Sequence, residues 1–241
     1  MMDDKWPWIE FKGRRSTDIA GLVVTSLPPP AKPAQRRTAT TVPGRDGVLN
    51  ILDNSAEPIS QPVTLFAYSR AAADAATEWL SGSGNLILST YPDRVYSATV
   101  FDAYSWTEDA DIYDTFTATV TFSVHPYPQC DTAAEYTVPS GDALVIRNSH
   151  NADAYPLITV IRTVDDAPIK LSVGTLDVLN VTDGGVDTVV IDCDIMECYD
   201  GSRTQINEYC REYPVFAAGK EYTIRVSGGN AYIQPRWRCR A

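Results

Sequence analysis

Between residues 115 and 124 apolar and polar positions alternate without a break. Phe116, Ala118, Val120, Phe122 and Val124 fall on one side, and Thr115, Thr117, Thr119 and Thr121 on the other. That period of two predicts a β-strand with one buried face. Shorter extended runs are predicted over residues 8–11, 22–27, 61–68, 86–90 and 95–104, with Val63 and Leu65 of the third on one face. The period changes only over residues 70–80, where Ala72, Ala76, Trp79 and Leu80 share one helical face. Ser69 is placed to cap that helix, and Ser81-Gly82-Ser83-Gly84 to stop it. The face should pack onto a sheet.

His125-Pro126-Tyr127-Pro128 closes the alternating strand and opens a linker reaching about Ala134. Beyond it the pattern predicts strands throughout: residues 143–147, 157–162, 169–173, 175–181, 188–191, 221–226 and 231–235. Turn signals separate them at Asp166-Ala167-Pro168, Asp183-Gly184-Gly185 and Gly228-Gly229-Asn230. Short strands spaced by turns predict a β-sandwich of jelly-roll or galectin-like character. The expected organisation is residues 1–131, a β-sandwich or barrel-like domain with one helix, and residues 132–241, a second β-sandwich.

Extended segments at residues 36–42 and 48–52 flank Val42-Pro43-Gly44-Arg45-Asp46-Gly47. Proline presets the first corner of a turn and glycine accepts the positive φ of the next, so Pro43-Gly44 and Asp46-Gly47 predict the corner of a hairpin. Arg45 and Asp46 would point outward from it, available to another chain.

Charge and chemistry narrow the picture. The formal net charge of −11 is spread over both halves, with no basic stripe to neutralise phosphates, so tight nucleic-acid binding is not expected. A negative wall still lets DNA slide past without condensing on it. No apolar run approaches bilayer length, and Met1-Met2-Asp3-Asp4-Lys5 has no apolar signal core, so cytoplasmic synthesis without membrane insertion is expected. The five cysteines, Cys130, Cys193, Cys198, Cys210 and Cys239, include no Cys-x-x-Cys pair. An odd count and cytoplasmic synthesis favour buried, reduced thiols over a disulfide framework or a zinc site.

His125 and His150 are the two imidazoles, and neither neighbours a nucleophile pattern. No phosphate-cradling loop, Gly-x-Ser-x-Gly or His-Glu-x-x-His occurs, so no enzyme, catalytic residue or cofactor is expected. Asp192, Asp194, Glu197 and Asp200 could supply calcium ligands, a glycosidic carboxylate pair or solvated turns. On one strand Asp192 and Asp194 would share a face that only a cation or solvent tolerates. Asp109, Asp111 and Asp114 lack the spacing and glycine of an EF-hand. Tyr199, Tyr209, Tyr213, Phe216, Tyr222, Tyr232 and Trp237 could include a sugar-stacking platform, a core or a protein interface.

The order of these features resembles a known family. An aromatic strand and Gly13 precede Asp18-Ile19-Ala20-Gly21-Leu22-Val23-Val24, Pro28-Pro29-Pro30 and the Pro43–Gly47 corner. The helix ends Glu78-Trp79-Leu80, and Tyr96-Ser97-Ala98-Thr99-Val100 and His125-Pro126-Tyr127 follow. Tyr155-Pro156-Leu157-Ile158, Ile191-Asp192, Tyr213-Pro214-Val215-Phe216 with Gly219, and Pro235-Arg236-Trp237-Arg238 complete the set. Together they resemble the distal tail proteins of siphovirus-type bacteriophages and prophages, whose tails are long and non-contractile.

The resemblance implies a structural virion part at the tail tip, a baseplate hub made in the bacterial host cytoplasm. Six N-terminal domains would form a homo-hexameric ring between the tail-tube protein and the tail-associated tip protein, with DNA crossing its channel only in transit. The galectin- or carbohydrate-module-like C-terminal domains would project outward to receptor-binding or baseplate proteins, or to host-surface glycans. Pro43, Gly44, Arg45, Asp46 and Gly47 are the expected inter-subunit contact. The competing expectation is a stand-alone carbohydrate-binding module for host-surface recognition.

Overall fold

The computed structural model describes residues 6–240 apart from Val42, Arg45, Asp111, Asp165, Asp166 and Asp183, and only the backbone of Asn50, Leu52, Asp53 and Asn54. The expectations for Arg45, Asp111, Asp166 and Asp183 therefore lie outside the described residues. The chain divides between Pro128 and Gln129 into two compact units.

The first unit holds strands β1 (Ile9–Phe11), β2 (Arg14–Arg15), β3 (Leu22–Ser26), β4 (Gln35–Thr40), β5 (Leu49–Ala56) and β6 (Ile59–Ala67), then helix α1 (Arg70–Trp79). Strands β7 (Gly82–Leu88), β8 (Tyr91–Val100), β9 (Thr107–Glu108) and β10 (Phe116–Val124) follow. The sheet runs β2-β1-β7-β8-β10-β6-β3, and β4 and β5 form a separate two-stranded sheet. Its central ladder pairs β10 with β6 from Phe116↔Ala67 to Val124↔Ile59. The alternating face of β10 is buried as the pattern predicts, and Ile59, Val63, Leu65 and Ala67 of β6 join it. Pro62 cannot donate a ladder bond, and β3 pairs β6 only from Ala67 to Thr64.

α1 forms as its period predicts. Ser69 Oγ accepts the Ala72 N–H at 3.2 Å, and Ala72, Ala73, Ala76 and Trp79 are buried. Trp79 Nε1–H donates to the Phe11 carbonyl at 2.9 Å, tying the helix to β1. Phe11 meets Phe122 edge-on at 5.3 Å in the same core. The Ser81–Gly84 stretch differs from expectation: it stops the helix, but β7 already begins at Gly82 and pairs with β8.

The second unit holds β11 (Gln129–Cys130), β12 (Tyr136–Val138), β13 (Ala143–Arg147), β14 (Leu157–Arg162), β15 (Ile169–Val173), β16 (Leu176–Val181), β17 (Thr188–Asp192), β18 (Glu197–Asp200), β19 (Glu221–Ser227) and β20 (Gly229–Gln234). One sheet runs β12-β20-β14-β17-β18 and the other β13-β19-β15-β16. Ile158, Val160, Ile191 and Ile233 of the first meet Leu171, Leu179, Ile224 and Val226 of the second in one core, which makes a β-sandwich. The chain changes sheet between β19 and β20 at Gly228-Gly229. A Cβ on Gly228 would lie 2.4 Å from the Pro168 carbonyl oxygen, and one on Gly229 2.6 Å from that of Ile161.

The thiol expectation needs correction. Cys130 and Cys239 form a disulfide, with Cα atoms 6.2 Å apart across 109 residues of sequence. The Cys130 N–H donates to the Trp237 carbonyl at 2.7 Å, which brings the two ends of the unit together. Cys193, Cys198 and Cys210 stay free as expected. Burial pushes the Cys193 thiol up to about 12, and the hydrogen bond between Cys198 and Cys210 raises the former and lowers the latter.

Candidate functional site

The hairpin of β4 and β5 forms where the flanking extended runs and paired turn signals predict it. Thr40 pairs with Leu49, Thr38 with Ile51 and Gln35 with Ala56, with a register shift between Gln35 and Arg37. The Glu57 N–H closes its base on the Ala34 carbonyl at 2.8 Å. Gly44 and Gly47 carry φ of +78° and +85°, and nothing lies within 4 Å of where their Cβ atoms would sit. Both are glycines for backbone handedness rather than close packing. Pro43, Gly44, Asp46 and Gly47 are all exposed, while Arg45 lies outside the described residues.

No residue of β4 is buried. Val48, Leu49 and Ile51 remain 54%, 45% and 55% exposed. A two-stranded sheet is barely stable alone in water, and its outer edges hold unpaired backbone groups. Apolar side chains held out on such an edge suit a second protein surface.

In the second unit the acidic group is organised differently from expectation. Arg236 grips Asp192 with two hydrogen bonds, Nη1–H to Oδ1 at 2.7 Å and Nη2–H to Oδ2 at 3.1 Å. Arg238 Nη2–H donates to Asp194 Oδ1 at 2.8 Å, and its guanidinium lies 4.8 Å from the Tyr155 ring. β17 ends at Asp192, so Asp194 lies in the following turn rather than on the strand. These arginines supply the positive charge that the two carboxylates require. Glu197 accepts from Gln205, and Asp200 Oδ1 accepts the N–H groups of Ser202 and Thr204 at 2.8 Å each, closing a local turn. Among the described residues no group of three His, Cys, Asp or Glu could hold a metal ion.

The two imidazoles serve packing and turns. His125 Nδ1 accepts the Tyr127 N–H at 3.3 Å. The His150 N–H donates to Asn148 Oδ1, and its ring lies 5.9 Å from that of Trp237. Buried Asn148 in turn donates to the Ala152 and Phe216 carbonyls at 2.9 and 2.7 Å. Of the candidate sugar platform Phe216 and Trp237 are buried, their rings 5.9 Å apart, with Tyr222 5.1 Å from Phe216, while the five tyrosines are half-buried. A groove of about 370 Å³ on the other sheet is lined by Lys170, Ser172, Asp177, Arg225 and Ser227, with no aromatic ring in its wall. Among the described residues no helix is long and apolar enough to cross a membrane.

The arginine partners were missed because pairing across 44 residues leaves no local periodicity. The available signal was the alternation of Arg236 and Arg238 near the end of the chain, spaced as Asp192 and Asp194 are.

No family model and no curated protein matches this sequence. Among solved structures the chain is similar to the Dit protein (gp 19.1) of phage SPP1, described as a paradigm of the hub adsorption apparatus in phages infecting Gram-positive bacteria. The TM-score is 0.70 at 13% identity, covering 95% of this chain and 98% of that one. It is also similar to the baseplate of phage P2 in its activated conformation with Ca, with a TM-score of 0.53 at 10% identity over 98% of both chains. The chain therefore has the mainly β fold of a phage Dit hub protein, with one α-helix among the described residues.

Proposed function

We propose that this chain is a structural, non-enzymatic part of a siphovirus-type phage or prophage tail tip. It acts as a distal tail protein that joins the tail tube to the host-adsorption apparatus. The observation that carries this reading is the likeness to the SPP1 Dit hub, which runs through both units rather than one. Six copies close into a ring through their first units, with the tail-tube protein on one face and the tip protein on the other. The second units face outward and hold receptor-binding or baseplate proteins. DNA crosses the channel, and the acidic character of the chain, with a net charge of −11, keeps it from sticking there.

Two observations support this reading. The β4–β5 hairpin leaves its apolar side chains without cover in the single chain. A head-to-tail ring uses such a projection against a different patch of the next copy. The Cys130–Cys239 disulfide suits a protein that acts outside the reducing cytoplasm, as a released virion does.

Arg45 is the proposed tip contact. Arg45→Ala weakens association of the full chain by about two- to fivefold, the size of one exposed ion pair. Light scattering across a concentration series measures it. A wild-type mass near six chains supports the proposed function, and a fixed single-chain mass at every concentration overturns it. Wild-type association unchanged by Arg45→Ala overturns the role of that residue.

A further inference from the structure

We infer that the β4–β5 hairpin of one copy docks on the exposed patch formed by Tyr68, Ile112 and Tyr113 of the next. This deepens the proposed ring and rests on it, by naming the surface that receives the hairpin.

The base of the hairpin and the patch adjoin opposite ends of the β6–β10 ladder. The hairpin base, closed by Ala34 and Glu57, adjoins Ile59, where β6 pairs with Val124. The patch adjoins the far end of that ladder, where Ala67 pairs with Phe116. From Ile59 to Ala67 the strand rises about 27 Å at roughly 3.4 Å per residue. A hairpin rooted at one end of the ladder and a patch at the other are unlike surfaces, the kind a heterologous ring pairs between copies.

The patch is firmly built. The Asp109 N–H donates to the Thr115 carbonyl at 2.9 Å, and Thr115 Oγ1–H donates to the Ile112 carbonyl at 2.8 Å. Asp114 takes a φ of +60° and accepts the Arg70 N–H at the start of α1. β9 clips the loop to β10 through Glu108↔Phe116 and Thr107↔Thr117. Out of this frame stand Tyr113 at 93% exposure, Tyr68 at 59% and Ile112 at 54%. Rings and aliphatic groups held so far into water suit an apolar partner, and Val48, Leu49 and Ile51 offer one.

Charge selects the pairing. The hairpin, residues 35–56, carries Arg36, Arg37 and Arg45 against Asp46 and Asp53, and Lys32 precedes it. Beside the patch lie Glu108, Asp109 and Asp114, with Arg70 at Asp114 and over the Phe116 ring, its charge outnumbered by the three carboxylates. The arginines of β4 are therefore drawn to the acidic rim of the patch. Lys32, Arg36, Arg37 and Glu108 are exposed, as rim charges should be.

The test places a photo-crosslinking benzoylphenylalanine at Tyr113 of the full chain and maps the products by mass spectrometry. Crosslinks between copies into residues 35–56 are expected. Copies that associate but crosslink elsewhere overturn this inference and leave the ring standing. Absence of any self-association overturns the ring and this inference together. As a second measurement, Arg36→Glu with Arg37→Glu should weaken association about tenfold, and added Glu108→Lys should recover part of that loss. Both arginines are exposed, so an unchanged thermal midpoint shows the variants folded. Association unmoved by the double reversal overturns the charge pairing.

Discussion

Replacing Cys130 with serine lowers the unfolding free energy of the second unit by about 5 kcal/mol, the chain-entropy value for a loop of this length. The bond joins residues 109 apart in sequence, so it closes nearly the whole unit into one ring of chain. Without it the unfolded state regains that freedom. The Cys130 N–H bond to Trp237 and the Gln129↔Arg238 bridge are then left to hold the ends together. Urea unfolding followed by intrinsic fluorescence measures the loss as a lower midpoint, with a steeper slope because the unfolded chain without the cross-link exposes more surface. Dithiothreitol should reproduce the effect in the wild-type chain and add nothing to Cys130→Ser. A drop below about 1 kcal/mol in both cases would contradict the cross-link's structural role.

Exchanging residues 36–52 for a short Gly-Ser linker should leave the first unit folded and abolish self-association. No described residue in that span is buried, so its loss removes nothing from the core that Phe11, Trp79 and Phe122 build. The expected change in unfolding free energy is within about 1 kcal/mol, as for surface substitutions away from special features. The expected change in association is far larger, because the apolar stripe and the basic charge leave together. Sedimentation velocity of both chains at matched concentrations reads it directly. Association surviving within about threefold would show that the copies bind through another surface.

These effects separate what local sequence encodes from what only the fold assembles. The alternation of β10, the helical face of α1 and the turn pairs at Pro43-Gly44 and Asp46-Gly47 act over a few residues. Each is legible because backbone geometry imposes a short period or a special φ. The turn at Gly228-Gly229 was legible for the same reason, although its role in passing the chain between sheets was not. β12 and β18 were missed because three or four residues are too short to show a period, and Glu197–Asp200 read instead as an acidic cluster.

The cysteines and the acidic residues show the other side. Cys130 and Cys239 are joined by the closing of a whole β-sandwich, whereas an odd cysteine count and the expected cytoplasmic synthesis argued for free thiols. Asp192 and Asp194 suggested a cation or solvent between them because alternation along one strand would have stacked their charges. The strand instead ends at Asp192, and Arg236 and Arg238 answer the two carboxylates from across the unit. The charge division between the basic hairpin and the acidic loop was present in the sequence throughout. It acquired meaning only when the β6–β10 ladder set the hairpin's base at one end and the loop at the other.

Electron microscopy of the purified full chain, at concentrations where it self-associates, tests the central claim most directly. The account predicts a six-fold annulus with an open axis, its inner body made of first units joined hairpin to patch and its second units outermost. Closed particles that bury some other surface and leave residues 35–56 free in solvent would contradict it.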